Sequence, residues 1–423
     1  MAINVIDSKE VYNIIRKTLE IMNKDIMKHG EITGYILYKM LQTEGRMSEL
    51  ELAEYTMIGV MHDIGVIKTG YKGGTVSVET TNVWAHSIYG YLFLKYLSPV
   101  GDRADIVLYH HLPYRLHNGI RNDYWRITDY LTLADKMDVF MRMKGHGMGE
   151  DYFLKNAGVT FSPNALKLFY AAQAKYNILE KLKTGEYQKE MEELFSSIHF
   201  SEKYKKGFLQ MIIYAIDFRS HQTVVHSLAT TTFAINVARI LRVSTEEMQI
   251  IYYGALLHDI GKIAIPLEIL EAPRRLTDDE MRVMKAHVMI TDRILRGVID
   301  DSVLEVAIRH HEKLDGSGYH RGLKGDELTM PQRIVAVSDI LSALYGKRSY
   351  KDSMEPDKIK SILQAEIDEG KLCPKTTGVV IRNLEKILKE FEKNCEETIG
   401  LYETIVSQYS VIYDKFKNFE EGV

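Results

Sequence analysis

The chain has 423 residues, too many for one ordinary hydrophobic core, so two or three domains are expected. Lys and Arg number 54 against 58 Asp and Glu, and the net charge of −4 argues against a protein that coats polymeric DNA or RNA, while leaving room for a local basic pocket. The two cysteines suggest no disulfide framework and fit a reducing cytoplasm, and no apolar run reaches the length of a membrane span.

In chain order, the opening "MAINVIDSKE" lacks the basic start and apolar stretch of a signal peptide, so a cytoplasmic protein without a membrane partner is expected. Strand signals are scarce and helical periodicity is common, which predicts an all-α fold. Residues 59–70, "GVMHDIGVIKTG", close an apolar run with His-Asp-Ile-Gly. The one alternating stretch, "GGTVSVETTNVW" (73–84), predicts a short hairpin or loop. No Pro-, Gly- or Ser-rich linker marks residues 180–205, so a helix over 181–215 is expected to connect two halves. In "HSLATTTFAINVARILR", Leu228, Phe233, Val237, Ile240 and Leu241 fall near one helical face. "MQIIYYGALL" is apolar nearly all round, predicting a helix buried in a bundle, and it leads into a second His-Asp-Ile-Gly. From Tyr402 through Ile405, Val406, Tyr409, Ile412, Tyr413 and Phe416 the spacing predicts a C-terminal amphipathic helix within 391–423. Such a helix either packs across the domains or pairs with a second copy in a homodimer.

Internal repetition organises the whole chain. His29, His62, His86, the doublet His110–His111 and Asp135 recur as His226, His258, His287, His310–His311 and Asp339. The gaps are 33, 24, 24 and 24 in the first series and 32, 29, 23 and 28 in the second. Ten of the 15 histidines fall in this pattern, so the bland reading of a buried histidine as a hydrogen-bonded core residue does not cover them. "AGVTFSPNALKLF" (157–169) likewise answers "EGKLCPKTTGVVIRNL" (369–384). Two tandem helical-bundle domains follow, over 1–180 and 216–390.

Mixed imidazole and carboxylate ligands suit Fe, Mn or Zn, and one carboxylate can bridge two ions. His226, His258, Asp259 and Asp339 alone would hold one ion. His287, His310 and His311 supply ligands for a second sharing Asp259. Two such ions can clamp a phosphate and acidify a water, so metal-assisted phosphoester hydrolysis is the natural chemistry.

The second half, through "LLHDIGKIAIP", "KAHVMITDRIL", "HHEKLDGSGYHRGLKGDEL", "RIVAVSD" and "KRSYK", resembles an HD-GYP domain of the HD phosphohydrolase superfamily. The resemblance implies an all-helical HD-type domain with two or three metals, usually iron or manganese, that hydrolyses a cyclic dinucleotide such as cyclic di-GMP or cyclic GMP-AMP. It implies His226, His258, Asp259, His287, His310, His311 and Asp339 as metal ligands, with Asp259 and Lys262 in catalytic roles. Lys262 would stabilise phosphate charge, Gly318 and Tyr319 would border the substrate, and Arg348 and Lys351 would grip its phosphates. The residues are suited to this: an ammonium at Lys262 can face developing negative charge, and Arg348 offers a planar fork.

The sequence also departs from the family. His320 stands in place of the family's proline, Gln222 in place of a glutamate, and Ser342 in place of a second aspartate. Neither Gln222 nor Ser342 supplies the charge a third ion needs, so two ions are expected in the second half. The first half keeps His29, His62, Asp63, His86, His110, His111 and Asp135, and adds Asp25 and Asp138. It has Val66 in place of Lys262 and "HHLPYRLHNG" in place of the substrate loop. It resembles a degenerate tandem copy that keeps a metal cage for a structural or regulatory role. Three functions follow: cyclic-dinucleotide hydrolysis in the second half, HD-type hydrolysis of another nucleotide or phosphate ester, and binding of a cyclic dinucleotide without turnover.

Overall fold

The computed structural model describes residues 5–70, 83–144, 150–220, 225–346 and 354–417. Residues 73–82 of the expected hairpin, together with Gln222, Arg348 and Lys351, lie outside the described residues. The fold is all-α: among the described residues the only β pairing is two isolated bridges, Ala157 with Phe161 and Asp315 with Lys324. No helix among them is long and apolar enough to cross a membrane.

The chain divides into two compact units, one built mainly from Asp7–Met211 and the other mainly from Ile212–Glu403, with residues from Thr404 onward counted with the first. In the first unit the helix Lys24–Glu44 carries His29 and packs against the helices Glu49–Val60 and Trp125–Lys144. In the second unit the helix His226–Leu241 takes the same part, packing against Thr245–Leu257 and Met330–Gly346. The second unit's core joins Phe233, Val237, Ile251, Val335, Leu341, Val380 and Phe391. Each such side chain withdrawn from water contributes about 1.5–3 kcal/mol before conformational entropy is set against it.

Local sequence sets the helix starts. Ser48 with Glu51, and Ser244 with Glu247, form capping boxes at the heads of the helices that lead into the two His-Asp pairs. Residues 181–215, expected as one connecting helix, instead contribute to three: Ile178–Thr184, Glu186–Ser197 and Glu202–Asp217. Gly185, at φ 84, ends the first of them in the left-handed region, and Ile198 is extended and buried at the end of the second. The final helix runs from Pro374 to Phe416, beginning well before residue 391. Of its apolar positions, Ile405 and Phe416 are buried, Tyr402 packs on Phe218 in the second unit and Tyr409 stacks on Tyr89 in the first, while Val406 is exposed.

Candidate metal centres

Each His-Asp pair sits where an apolar helix stops. The helix Thr245–Leu257 hands over at His258 and Asp259 to the tight turn Ile260–Ala264, and the helix Glu49–Val60 ends just before His62 and Asp63. The glycine that closes each tetrapeptide lies against the helix bearing the third histidine. A Cβ on Gly261 would stand 2.1 Å from the His287 carbonyl oxygen, and one on Gly65 would stand 2.0 Å from that of His86. Only glycine allows this approach, which draws the pair and the third histidine to one place.

In the second unit, His258, His287 and His310 turn Nδ1 to the carbonyl three residues earlier, on Ala255, Met284 and Ala307, at 2.6, 2.7 and 2.6 Å. This bond places the proton on Nδ1 and leaves the Nε2 lone pair facing inward. His258 Nε2 lies 3.1 Å from Asp259 Oδ2, while His287 Nε2 and His310 Nε2 lie 3.3 and 3.9 Å from Oδ1. His226 Nε2 lies 3.0 Å from Asp259 Oδ2 and 3.1 Å from Asp339 Oδ1, and its outer Nδ1 meets Ser342 Oγ at 2.9 Å. His311 Nδ1 stands 3.5 Å from Asp339 Oδ2. All seven residues expected as ligands therefore meet in one cluster.

The electrostatics of this cluster suit a cation. Burial would raise the carboxyl of Asp259, but His258 and Lys262 outweigh it and hold that carboxyl well below its usual range. Burial keeps His310 well below its ordinary value and takes His311 to about 3, so both rings are neutral and keep a lone pair. His258 is pulled down by burial yet held up at about 10 by Asp259 and Asp339, a position between carboxylates that suits a positive ion. Asp259 Oδ1 is buried without a hydrogen-bond partner where two Nε2 atoms face it. Acceptors orphaned among inward lone pairs fit metal ions and no other protein group.

At the edge of the cluster, Lys262 Nζ pairs with Asp259 from the adjoining turn and is partly exposed. Arg219 fixes that turn by donating to the carbonyls of Lys262, Ile263 and Ile265 at 3.2, 2.6 and 3.4 Å. The sequence reading missed this role, because nothing in a lone arginine announces which carbonyls it reaches. The loop after the histidine doublet is folded back on it. Buried Glu312 accepts the N–H groups of Arg321 and Leu323 at 2.6 and 2.9 Å, and a Cβ on Gly318 would stand 2.5 Å from Glu312 Cα. Tyr319 is thereby laid against His311, with ring centroids 4.5 Å apart, under the exposed Lys285. His320 is exposed.

The first unit assembles a parallel cage. His62 and His110 turn Nδ1 to the carbonyls of Gly59 and Val107, at 2.7 and 2.6 Å. Asp63 Oδ1 lies 3.5, 3.3 and 3.8 Å from the Nε2 atoms of His62, His86 and His110. His29 Nε2 stands 3.2 Å from Asp135 Oδ1, and its Nδ1 meets Asp138 Oδ2 at 2.8 Å. Asp138 thus occupies the outer place that Ser342 holds in the second unit, orienting a ligand rather than adding one. Asp25 is exposed. The Nε2 atoms of His29, His62 and His110 and both oxygens of Asp63 and Asp135 are buried without hydrogen-bond partners, so this cage also fits a cation. Burial would raise the Asp63 carboxyl, but the surrounding imidazoles hold it at about 2, and burial takes His86 to about 4 and His110 to about 3. Val66 is buried and brings no charge, yet the cage has an ammonium from elsewhere. Lys136 Nζ lies 3.2 Å from both Asp135 Oδ2 and His111 Nδ1. The signal was present in the sequence as Lys136 after Asp135, where Ile340 follows Asp339.

Residues 210–374 match the family model described as an HD domain. The chain is 27% identical over 400 residues to a 3'3'-cGAMP-specific phosphodiesterase 1 of Vibrio cholerae serotype O1, covering 90% of this chain and 93% of that protein. It is 38% identical over 206 residues to the cyclic di-GMP phosphodiesterase response regulator RpfG of Xanthomonas campestris pv. campestris, covering 47% of this chain and 54% of that one. Its fold is similar to the crystal structure of a cyclic GMP-AMP specific phosphodiesterase of V. cholerae, with a TM-score of 0.53 and 20% identity over 90% of this chain and 98% of that one.

Proposed function

We propose that this chain, an HD-domain protein over residues 210–374, is a metal-dependent phosphodiesterase that opens a cyclic dinucleotide to a linear one, with the chemistry in its second unit. The observation that carries the reading is the convergence of five imidazoles and two carboxylates beside Lys262 and the Tyr319 loop, inside the segment that matches the HD-domain model. The cyclic-dinucleotide phosphodiesterase activities for which the relatives are named support the substrate class.

In this reading His226, His258, Asp259, His287, His310, His311 and Asp339 would hold two divalent ions. Iron and manganese suit a mixed imidazole–carboxylate set of this kind. Such ions supply an acidified water as nucleophile and positive charge at the phosphoryl oxygens. The protein's own part is positional. Asp259 turns one oxygen to His226 and His258 and the other to His287 and His310, so one carboxylate could serve both groups of imidazoles. Lys262, anchored by Asp259, would face the negative charge on the phosphoryl oxygens as the P–O bond to the incoming water forms and the bond to a ribose oxygen breaks, that oxygen leaving as a hydroxyl once protonated. Tyr319 offers a flat ring at the mouth for a base or ribose. Arg348 and Lys351 are proposed as further phosphate contacts. The first cage is proposed as a metal centre without this loop, in a structural or regulatory role.

The test is turnover of 3'3'-cGAMP and of cyclic di-GMP by the chain loaded with iron or manganese under reducing conditions. A linear dinucleotide is expected. A chain whose metal content is full and which leaves both substrates intact contradicts the reading.

A further inference from the structure

We infer that Arg219 is a positioning residue for Lys262: its guanidinium holds the far half of the turn after Asp259 and so sets where the Lys262 ammonium stands. This rests on the reading of the second cage as the hydrolytic centre.

The turn Ile260–Ala264 is held from two sides. On the near side stands Thr291, fully buried and one helical turn beyond His287. Its hydroxyl donates to the His258 carbonyl and accepts the Gly261 N–H, both at 3.1 Å. These two bonds fix the stretch that carries Asp259. On the far side the chain leaves the turn extended, with Ile265 at φ −78 and ψ 130. There Arg219 Nη1 donates to the carbonyls of Lys262 and Ile263, and Nη2 donates to that of Ile265. A guanidinium carries its donors in a rigid planar fork, so one side chain ties three carbonyls and sets their directions.

Arg219 is itself anchored. It lies just beyond the helix Glu202–Asp217, and its own N–H bonds the Ile216 carbonyl at 3.1 Å. Asp217 accepts the N–H of Ser227 at 3.4 Å, so the same stretch seats the start of the helix that bears His226. A lysine ammonium hangs on a flexible stem, and its place depends on the backbone beneath it. The carbonyl of Lys262 itself is one of the three that Arg219 holds.

The first unit serves as the internal comparison. It draws its cage together with Val66 in place of Lys262, and neither part of the brace recurs in register. Gly90 stands where Thr291 does: a Cβ on Gly65 would lie 2.6 Å from Gly90 N, as one on Gly261 would lie 2.7 Å from Thr291 N. Met22 precedes His29 by the seven residues that separate Arg219 from His226. After Gly65 the chain continues as the short helix Val66–Thr69, whose Thr69 and Gly70 N–H groups take up the carbonyls of Gly65 and Val66 at 3.2 and 3.1 Å. The cage therefore forms without the guanidinium, and the guanidinium accompanies the lysine. That assigns Arg219 to Lys262 rather than to the ligands.

The test is a double-mutant cycle on the full chain loaded with manganese, with metal counted on every preparation. Arg219→Met is expected to lower kcat on a cyclic dinucleotide about 100-fold, the effect of a displacement of about 1 Å, with KM and metal content near wild type. In a Lys262→Met background the same change is expected to lower kcat by less than about threefold, because nothing remains to be positioned. Arg219→Lys, which keeps the charge without the fork, is expected to fall between, and it carries the cycle if Arg219→Met does not fold. Equal losses in the two backgrounds, or metal lost in step with activity, overturn the inference. Hydrogen exchange judges it apart from activity. In the metal-loaded Arg219 variant a peptide over residues 260–266 is expected to exchange about tenfold faster, while one over 287–295 keeps its wild-type rate. Unchanged exchange over 260–266 overturns the inference. A fully loaded wild type that leaves its substrates intact, beside a variant whose turn loosens, contradicts the hydrolytic reading alone, and the placement of Lys262 by Arg219 stands.

Discussion

Gly318→Ala tests how the loop after the histidine doublet serves the site. The added Cβ would stand 2.5 Å from Glu312 Cα and from Lys313 N, and 2.6 Å from the His311 carbonyl oxygen. All three are backbone atoms and cannot swing aside. Carbon atoms at rest sit about 3.5–4.0 Å apart, so the loop must retreat by about 1 Å. Overpacking of this kind costs about 1–3 kcal/mol, partly recovered if Arg321 and Leu323 let go of Glu312. The larger consequence is for Tyr319, which comes away from His311, and a misplacement of about 1 Å lowers kcat/KM about 100-fold. Metal content should stay at the wild-type value, because every ligand but Asp339 precedes the loop and Asp339 lies on the separate helix Met330–Gly346. The assay is kcat/KM on a cyclic dinucleotide with metal counted on the same preparation. Activity within about threefold of wild type at full metal content would refute the reasoning that Gly318 holds the loop in register.

Lys262→Met should lower kcat by about 100- to 1,000-fold while metal content is retained, since it removes charge stabilisation and no ligand. Steady-state kinetics with metal analysis separates this from metal loss. Ser342→Ala removes the partner of His226 Nδ1 and should weaken metal affinity about 10- to 100-fold, read by competition with a chelator of known affinity. The metal-free chain should be most stable near about pH 6.5. Burial depresses His86 to about 4 and His110 and His311 to about 3, so as pH falls below the unfolded value the unfolded state binds more protons and stability is lost. His258 is held up at about 10 and His29 and His226 are raised by their carboxylates, so above the unfolded value the folded state binds more protons and stability is lost as pH rises. Thermal melts across pH after chelation check this, and a monotonic rise through pH 9 would contradict it.

Much of the site was legible because its chemistry is written at fixed spacing. Adjacent histidine and aspartate at a helix end, and an adjacent histidine doublet, repeat in both halves, and the structure draws each set into one cage. The helical pattern was equally plain, since Ile251, Tyr253 and Leu257 are buried in the helix that delivers His258. What the sequence withheld is what depends on approach in space. Asp138 stood in the sequence only as an added acidic residue, and its distance to the outer nitrogen of His29 gives it an orienting role. Val66 suggested a cage without an ammonium, because Lys136 reaches His111 and Asp135 from a different helix. The connector over 181–215 read as one helix because a single glycine weakens a helix without ending it. Only the left-handed conformation of Gly185 and the burial of Ile198 break the run.

The central claim places phosphodiester cleavage at Asp259 and its neighbours. The most direct measurement compares wild-type chain and Asp259→Ala, each reconstituted with iron or manganese under reducing conditions, for conversion of 3'3'-cGAMP and cyclic di-GMP to linear products resolved by chromatography. Wild type is predicted to linearise at least one of the two, and Asp259→Ala neither. Turnover retained in Asp259→Ala would place the chemistry outside this cage and contradict the account.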